Sequence, residues 1–315
     1  GIRSMRQTIK EIETNVAYRW FLGFGFHTEV PHFSTFGKNY VRRFENTDVF
    51  EQIFYCILKE IVDEGLLSAD HIFIDSTHVK ASANKRKFDK KMVRKETRAY
   101  EEKLQEELNI DREKNGKKPF PKEKFEKEEF KEIKESTTDP ESGYYVKDER
   151  TKQFAYSFHA ATDERGFVLG AIVTPGNIHD SHILQPLVEK VIEKVKKPLA
   201  VAADAAYKTP AITNFLLENQ MLPVLPYTRP KTKDGFFRKH DYVYDEHNDC
   251  YICPNDQMLP YVTTTKEGYR QFKSNPTICA NCPFFQQCTE SKNHTKLIQR
   301  HIWEAYVEEA EHLRH

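Results

Sequence analysis

Apolar residues recur along this chain with two different periods. Across residues 48–67, Phe50, Ile53, Phe54, Ile57, Leu58, Ile61 and Val62 fall three and four apart, which predicts an amphipathic helix ended by Gly65. Cys56 is read within that apolar face as a small core residue. Elsewhere the apolar runs are short. Residues 71–74 run into Asp75 and residues 199–203 run into Asp204, each read as a buried strand delivering an acid. Runs this short also suit a buried helix segment, and an Asp at a strand end also opens a turn by accepting backbone N–H groups.

The same reading extends through the middle of the chain. Residues 154–162 and 167–174 flank Asp163-Glu164-Arg165-Gly166, a hairpin turn, and with the Asp75 strand predict a three-stranded antiparallel unit. A helix follows over 182–196, with Asp180 or Ser181 as its N-cap. The Asp204 strand, a helix over 209–220 and a strand over 221–226 complete the order. Three strands followed by strands alternating with helices predict a mixed α/β sheet.

Between residues 85 and 142 the composition turns to Lys, Glu and Arg, with Leu104, Leu108, Phe120, Phe125 and Phe130 as sparse apolar positions. Two exposed helices, 94–108 and 122–134, are expected as a hairpin broken at Asn115-Gly116 and Pro119–Pro121. Its alternatives are a DNA or partner contact and a solvated excursion. Residues 296–315 read as a helix with Ile298, Ile302, Tyr306, Val307, Ala310 and Leu313 on one side.

Length and charge then bound the picture. At 315 residues, one large domain with insertions or two to three units is expected. Forty-eight basic residues balance forty-eight acidic ones, so a nucleic-acid surface must come from local segregation of charge. Arg3, Arg6, Lys10, Arg19, Lys38, Arg42 and Arg43 suit either phosphate contacts or a solvated face. No run approaches the roughly 20 apolar residues of a membrane span and no secretion signal is evident, so the cytoplasm is the expected location.

Five of the six cysteines lie after Pro226, as Cys250-x2-Cys253 and Cys279-x2-Cys282-x5-Cys288. Two paired spacings point to a tetrahedral thiolate metal site more than to disulfides, with zinc or an iron–sulfur cluster as occupant. Spacing alone favours Cys250, Cys253, Cys279 and Cys282. The two acids invite a second kind of site, since hard divalent ions such as Mg²⁺ prefer carboxylate oxygen.

Asp75-Ser76-Thr77-His78-Val79-Lys80-Ala81-Ser82-Ala83-Asn84-Lys85, Thr174-Pro175-Gly176-Asn177-Ile178-His179-Asp180-Ser181 and Ala203-Asp204-Ala205-Ala206-Tyr207 resemble, in that order, motifs of bacterial insertion-sequence transposases of the DDE type. Pro31-His32-Phe33-Ser34-Thr35-Phe36 upstream and the cysteine cluster downstream extend the resemblance to the group with a cysteine-rich insertion. It implies an RNase H-like core in which two Asp and one Glu hold two Mg²⁺ for cleavage and strand transfer of double-stranded DNA, by a homo-oligomer. The matching positions for the two Asp are Asp75 and Asp204; apart from the resemblance, His159, His179 and His182 are candidate DNA or metal neighbours by residue type alone. The resemblance singles out Cys253, Cys279, Cys282 and Cys288 as the thiolate set, leaving Cys250 as an extra.

It also places the Glu on a later helix, beyond a basic segment that the chain does not reach, so Glu304, Glu308 and Glu311 are not assigned to it. The start at Gly1 looks internal, since a helical region precedes this point in the family. The expectation is therefore a copy truncated at both ends and catalytically crippled, with a non-catalytic DNA- or partner-binding remnant as the alternative. The expected organisation is an N-terminal helical region over 1–68, a core over 69–84 and 143–228, a charged helical insertion over 85–142, a Cys-rich insertion over 229–295 and a C-terminal helix over 296–315.

Overall fold

The computed structural model describes residues 4–45, 47–94, 100–121, 123, 125, 130–228 and 232–314. Contacts divide the chain into two compact units, residues 1–66 and 67–315. The first unit is helical: α1 (Met5–Thr14), α2 (Val16–Phe21), α3 (Phe33–Arg43) and α4 (Val49–Asp63). Side chains start three of them, Ser4 accepting from the Gln7 N–H, Asn15 from Ala17 and Tyr18, and His32 from Ser34.

Two expectations change here. Arg19 is buried and its guanidinium donates to the carbonyls of Gly25, Phe26 and Thr28, so it closes a loop, while its Nε, which has no hydrogen-bond partner, is buried away from a phosphate. Arg6 lies over the Phe33 ring at 4.6 Å, while Arg3 falls outside the described residues. Cys56 is exposed. At 100° per residue it stands some 200° round the helix from Phe54, opposite the apolar stripe rather than in it.

The second unit is built on two sheets. The larger contains β1 (His71–Lys80), β2 (Phe88–Arg94), β3 (Phe130–Ser136), β4 (Gly143–Val146), β5 (Lys152–Thr162), β6 (Val168–Pro175), β7 (Ala200–Ala203) and β8 (Leu222–Val224). Their order is β2-β3-β4-β5-β1-β7-β8, with β6 on the same edge of β5 as β4. β6, β5 and β1 are antiparallel, whereas β7 and β8 run parallel to β1 and to each other. This is the mixed sheet of an RNase H-like fold. Parallel pairing needs crossovers, which α6 (Leu184–Lys194) and α7 (Pro210–Glu218) supply.

In the charged stretch α5 (Glu101–Lys114) lies between the two strands of the β2–β3 ladder. Much of the expected second helix over 122–134 lies outside the described residues; Glu123 and Phe125 within it are helical, and its end from Phe130 is a strand. Nor is α5 a solvated excursion, because Leu104 and Leu108 are buried. Leu104 packs with Ala211 and Trp303, and the Arg112 guanidinium reaches the Thr264 carbonyl at 2.7 Å. Salt-laced surface patterning concealed an anchored helix.

The smaller sheet is wholly antiparallel, ordered β13-β12-β11-β10-β9: β9 (Val243–Asp245), β10 (Cys250–Ile252), β11 (Met258–Thr264), β12 (Tyr269–Lys273) and β13 (Leu297–His301). Short helices α8 (Pro276–Ala280) and α9 (Phe285–Cys288) lie between β12 and β13, and α10 (Glu304–His312) follows. The expected helix over 296–315 thus begins as strand. β12 offers a pairing edge and β13 takes it, placing Ile298 opposite Phe272 in a buried cluster with Tyr242, Tyr251 and Leu259. No helix among the described residues is long and apolar enough to cross a membrane.

Candidate functional site

Strand β1 continues through Asp75 to Lys80 because β5 pairs with it along that length, Asp75 standing opposite Ala160 and Ser76 opposite His159. Asp75 is therefore a mid-strand acid and does not open a turn. The parallel partner on the other side stops earlier, its last pairing being Ile74 with Ala203. Asp75 and Asp204 follow these paired residues directly, on strands spaced about 4.8 Å apart. They emerge side by side where the parallel ladder ends.

Both side chains are exposed and each accepts a backbone N–H of its own segment, Asp75 from Ser76 at 2.7 Å and Asp204 from Ala206 at 2.9 Å. Asp204 thereby caps the 3₁₀ turn Ala205–Tyr207. The sheet face that carries Asp75 is open: Val173 is 60% exposed and Phe73, Phe158 and Val224 are also exposed. On the opposite face, Ser76 and His159 are turned inward.

Behind the acids lies a polar cluster that the sequence reading missed. The Ser76 hydroxyl donates to Asp180 Oδ2 at 3.1 Å. His159, 0% exposed, has Nδ1 at 3.1 Å from the Tyr207 hydroxyl and 3.8 Å from Asp180 Oδ1, and Nε2 at 3.2 Å from Thr174 Oγ1. Burial pushes the His159 imidazole below its usual range against the opposing pull of Asp180, so it stands neutral and its contact with Asp180 is dipolar. Burial and then the fields of Asp180, Asp204 and Asp75 push the Tyr207 phenol up, which keeps it protonated.

From its position ahead of a helical segment, Asp180 is expected to be a helix N-cap. In the structure it is the first residue of a 3₁₀ turn, Asp180–His182, whose capping side chain is His179, accepting from the Ser181 N–H. Its carboxylate is directed instead to a residue 104 positions earlier. A local signal suggested a cap, and no local signal announces a partner so distant in sequence.

Three of the four glutamates of α10 are engaged by cations: Glu304 by Lys239, Glu308 by Arg300 and Glu311 by Lys208, the last at 2.8 Å. Around the other candidate centre, Cys253, Cys279, Cys282 and Cys288 line one cavity of about 30 Å³, room for a water- or ion-sized occupant. Cys250 is buried within β10, paired between β9 and β11. The Cys288 thiol is pushed up by burial and touches the Tyr242 hydroxyl at 3.1 Å. Among the described residues, no group of three or more His, Cys, Asp or Glu stands at the spacing of a metal site, so zinc has no assembled ligand set here.

Comparison with known proteins gives three matches. A family model described as a transposase DDE domain matches residues 67–277, a second of the same description matches 252–315, and a transposase domain model matches 1–42. No curated relative and no solved structure matches the chain.

Proposed function

The chain belongs to the transposases with a DDE domain, and from that premise we propose that Asp75 and Asp204 are the carboxylates at which it cuts and joins double-stranded DNA. The observation that carries this reading is the Ile74–Ala203 pairing, which sets the two acids next to each other on an open face. Two exposed carboxylates side by side are a hard-oxygen donor set, which fits a divalent ion such as Mg²⁺. Such an ion supplies Lewis-acid stabilisation to the oxygens of a phosphodiester.

The chain's own part is to hold that donor set. Backbone N–H groups of Ser76 and Ala206 occupy one oxygen of each acid, fixing its rotamer and leaving the other available. Work on both ends of an element requires two such sites, which supports a homo-oligomer. Since Glu304, Glu308 and Glu311 are engaged by Lys239, Arg300 and Lys208, we infer that none of these three is the third acid and that the chain by itself is a weak catalyst. We further propose that Cys253, Cys279, Cys282 and Cys288, which line one cavity, are the thiolates that would hold a structural zinc ion.

The test is strand cleavage and joining on duplex DNA carrying the ends that flank the gene, with Mg²⁺ supplied. Weak cleavage that Asp75→Ala or Asp204→Ala lowers by roughly 10³-fold is the expected result, the size of a lost metal ligand. Cleavage that survives both substitutions overturns the assignment. Duplex binding without cleavage in any variant supports a second reading, favoured by the two-acid set: a DNA-binding remnant.

A further inference from the structure

The loop between β6 and α6 is not part of either acid-bearing strand, yet it is clamped against the sheet. Gly176 N–H donates to the Ala155 carbonyl at 2.8 Å, and a Cβ on Gly176 would lie 2.8 Å from that oxygen. A Cβ on Gly143 would lie 2.6 Å from the backbone nitrogens of Gly176 and Asn177. Close approach of this kind tolerates only glycine, and it fixes the height at which the following residues meet β1. Four residues on, Asp180 meets Ser76.

We propose that Asp180 is a positioning residue, which holds the Asp75 segment and the Asp204 turn in one fixed geometry through Ser76 on one side and the His159–Tyr207 pair on the other. The inference rests on the reading of Asp75 and Asp204 as the working carboxylates. One oxygen of Asp180 takes the hydroxyl of the residue after Asp75. The other faces His159, which meets the hydroxyl of Tyr207, the residue that closes the 3₁₀ turn capped by Asp204. Tyr207 and His159 are fully buried, so neither has solvent to replace a lost partner. The capping duty at this loop is met by His179, which leaves Asp180 free of it.

Amide hydrogen exchange on the 315-residue chain tests the coupling, with Asp180→Ala and Asp180→Asn compared to the unsubstituted protein. Asp180→Ala is expected to speed exchange about 3- to 10-fold, the worth of one hydrogen bond, in both residues 73–77 and 203–207 while leaving 258–273 unchanged. Asp180→Asn keeps an acceptor for Ser76, so it is expected to restore protection at 73–77 and not at 203–207. Acceleration confined to 178–183, or absent from 203–207, overturns the proposal. Mn²⁺ binding followed by electron paramagnetic resonance gives the second readout, with weaker affinity expected in Asp180→Ala at an unchanged melting temperature. An unchanged affinity there, with Asp75→Ala abolishing binding, also overturns it. If the unsubstituted protein binds Mn²⁺ no better than Asp75→Ala, the reading of the acids has failed, and exchange alone decides whether Asp180 couples the two segments.

Discussion

The two sheets of the larger unit treat their charged residues in opposite ways. In the five-stranded sheet, Arg270, its side chain 13% exposed, lies between Asp111 of α5 and Asp249, and the Thr264 hydroxyl donates to Asp111 at 2.6 Å. Arg300 forms a two-pronged contact with Glu308 and stacks over Tyr244, beside an aromatic group of Tyr251, Tyr261 and Phe272. In the eight-stranded sheet, Asp75 and Asp204 stand exposed and take a backbone N–H each. A carboxylate with a fixed structural partner tolerates burial, and one that must receive a ligand has to stay in reach of it. The polar cluster of Ser76, His159, Asp180 and Tyr207 sits between these extremes, its His159 and Tyr207 buried and its Ser76 and Asp180 half-buried, adjacent to the exposed acids.

The sharpest way to break the contrast is to remove the cation of the five-stranded sheet. Arg270→Ala leaves Asp111 and Asp249 without their counter-charge and is expected to cost about 3 kcal/mol in denaturant unfolding, the lower end for a broken buried pair. A loss under about 1 kcal/mol would show that this network is as dispensable as a surface pair.

A smaller effect is expected from acid. Burial pushes the His301 imidazole down to about 4 from 6.5, so the unfolded chain binds the proton more readily than the folded one. Stability is then present above the unfolded value and falls as pH drops from about 6.5 towards 4. Between pH 7 and 5 the expected loss is about 2 kcal/mol. His301→Asn, which keeps an acceptor for the Trp303 N–H, is expected to remove that part of the slope in unfolding measured at both pH values. An unaltered slope would mean that His301 is hydrated in solution.

The smallest change is expected at the open site. Asp75→Asn keeps an acceptor for the Ser76 N–H, and the exposed position predicts a shift within about 0.5 kcal/mol in the same unfolding experiment. A large stabilisation would point the other way, to a carboxylate held at a cost in strain or repulsion and a site less relaxed than its exposure suggests.

What could be read beforehand follows the range of the interactions. The β5–β6 hairpin and helix α4 were legible because turn chemistry and a 3.6-residue period act within a few residues. Strands β3 and β13 were not, because their sequences carry a helix-compatible pattern and only a neighbouring edge, β2 or β12, decides otherwise. The cysteine spacing left two ligand sets standing. In the fold Cys250 is buried in β10 while Cys253, Cys279, Cys282 and Cys288 line one cavity, an arrangement that spacing does not encode.

By itself, then, the sequence determined the strand and helix order of an RNase H-like sheet and the two acids that follow its apolar runs, since alternation, chain order and residue type are local properties. The tertiary structure decided that Asp75 lies mid-strand beside Asp204, that α5 is anchored and that Asp180 serves Ser76 instead of capping a helix. Each of these depends on a partner brought close by folding across eighty residues or more, where desolvation and hydrogen-bond geometry, rather than propensity, choose the neighbour.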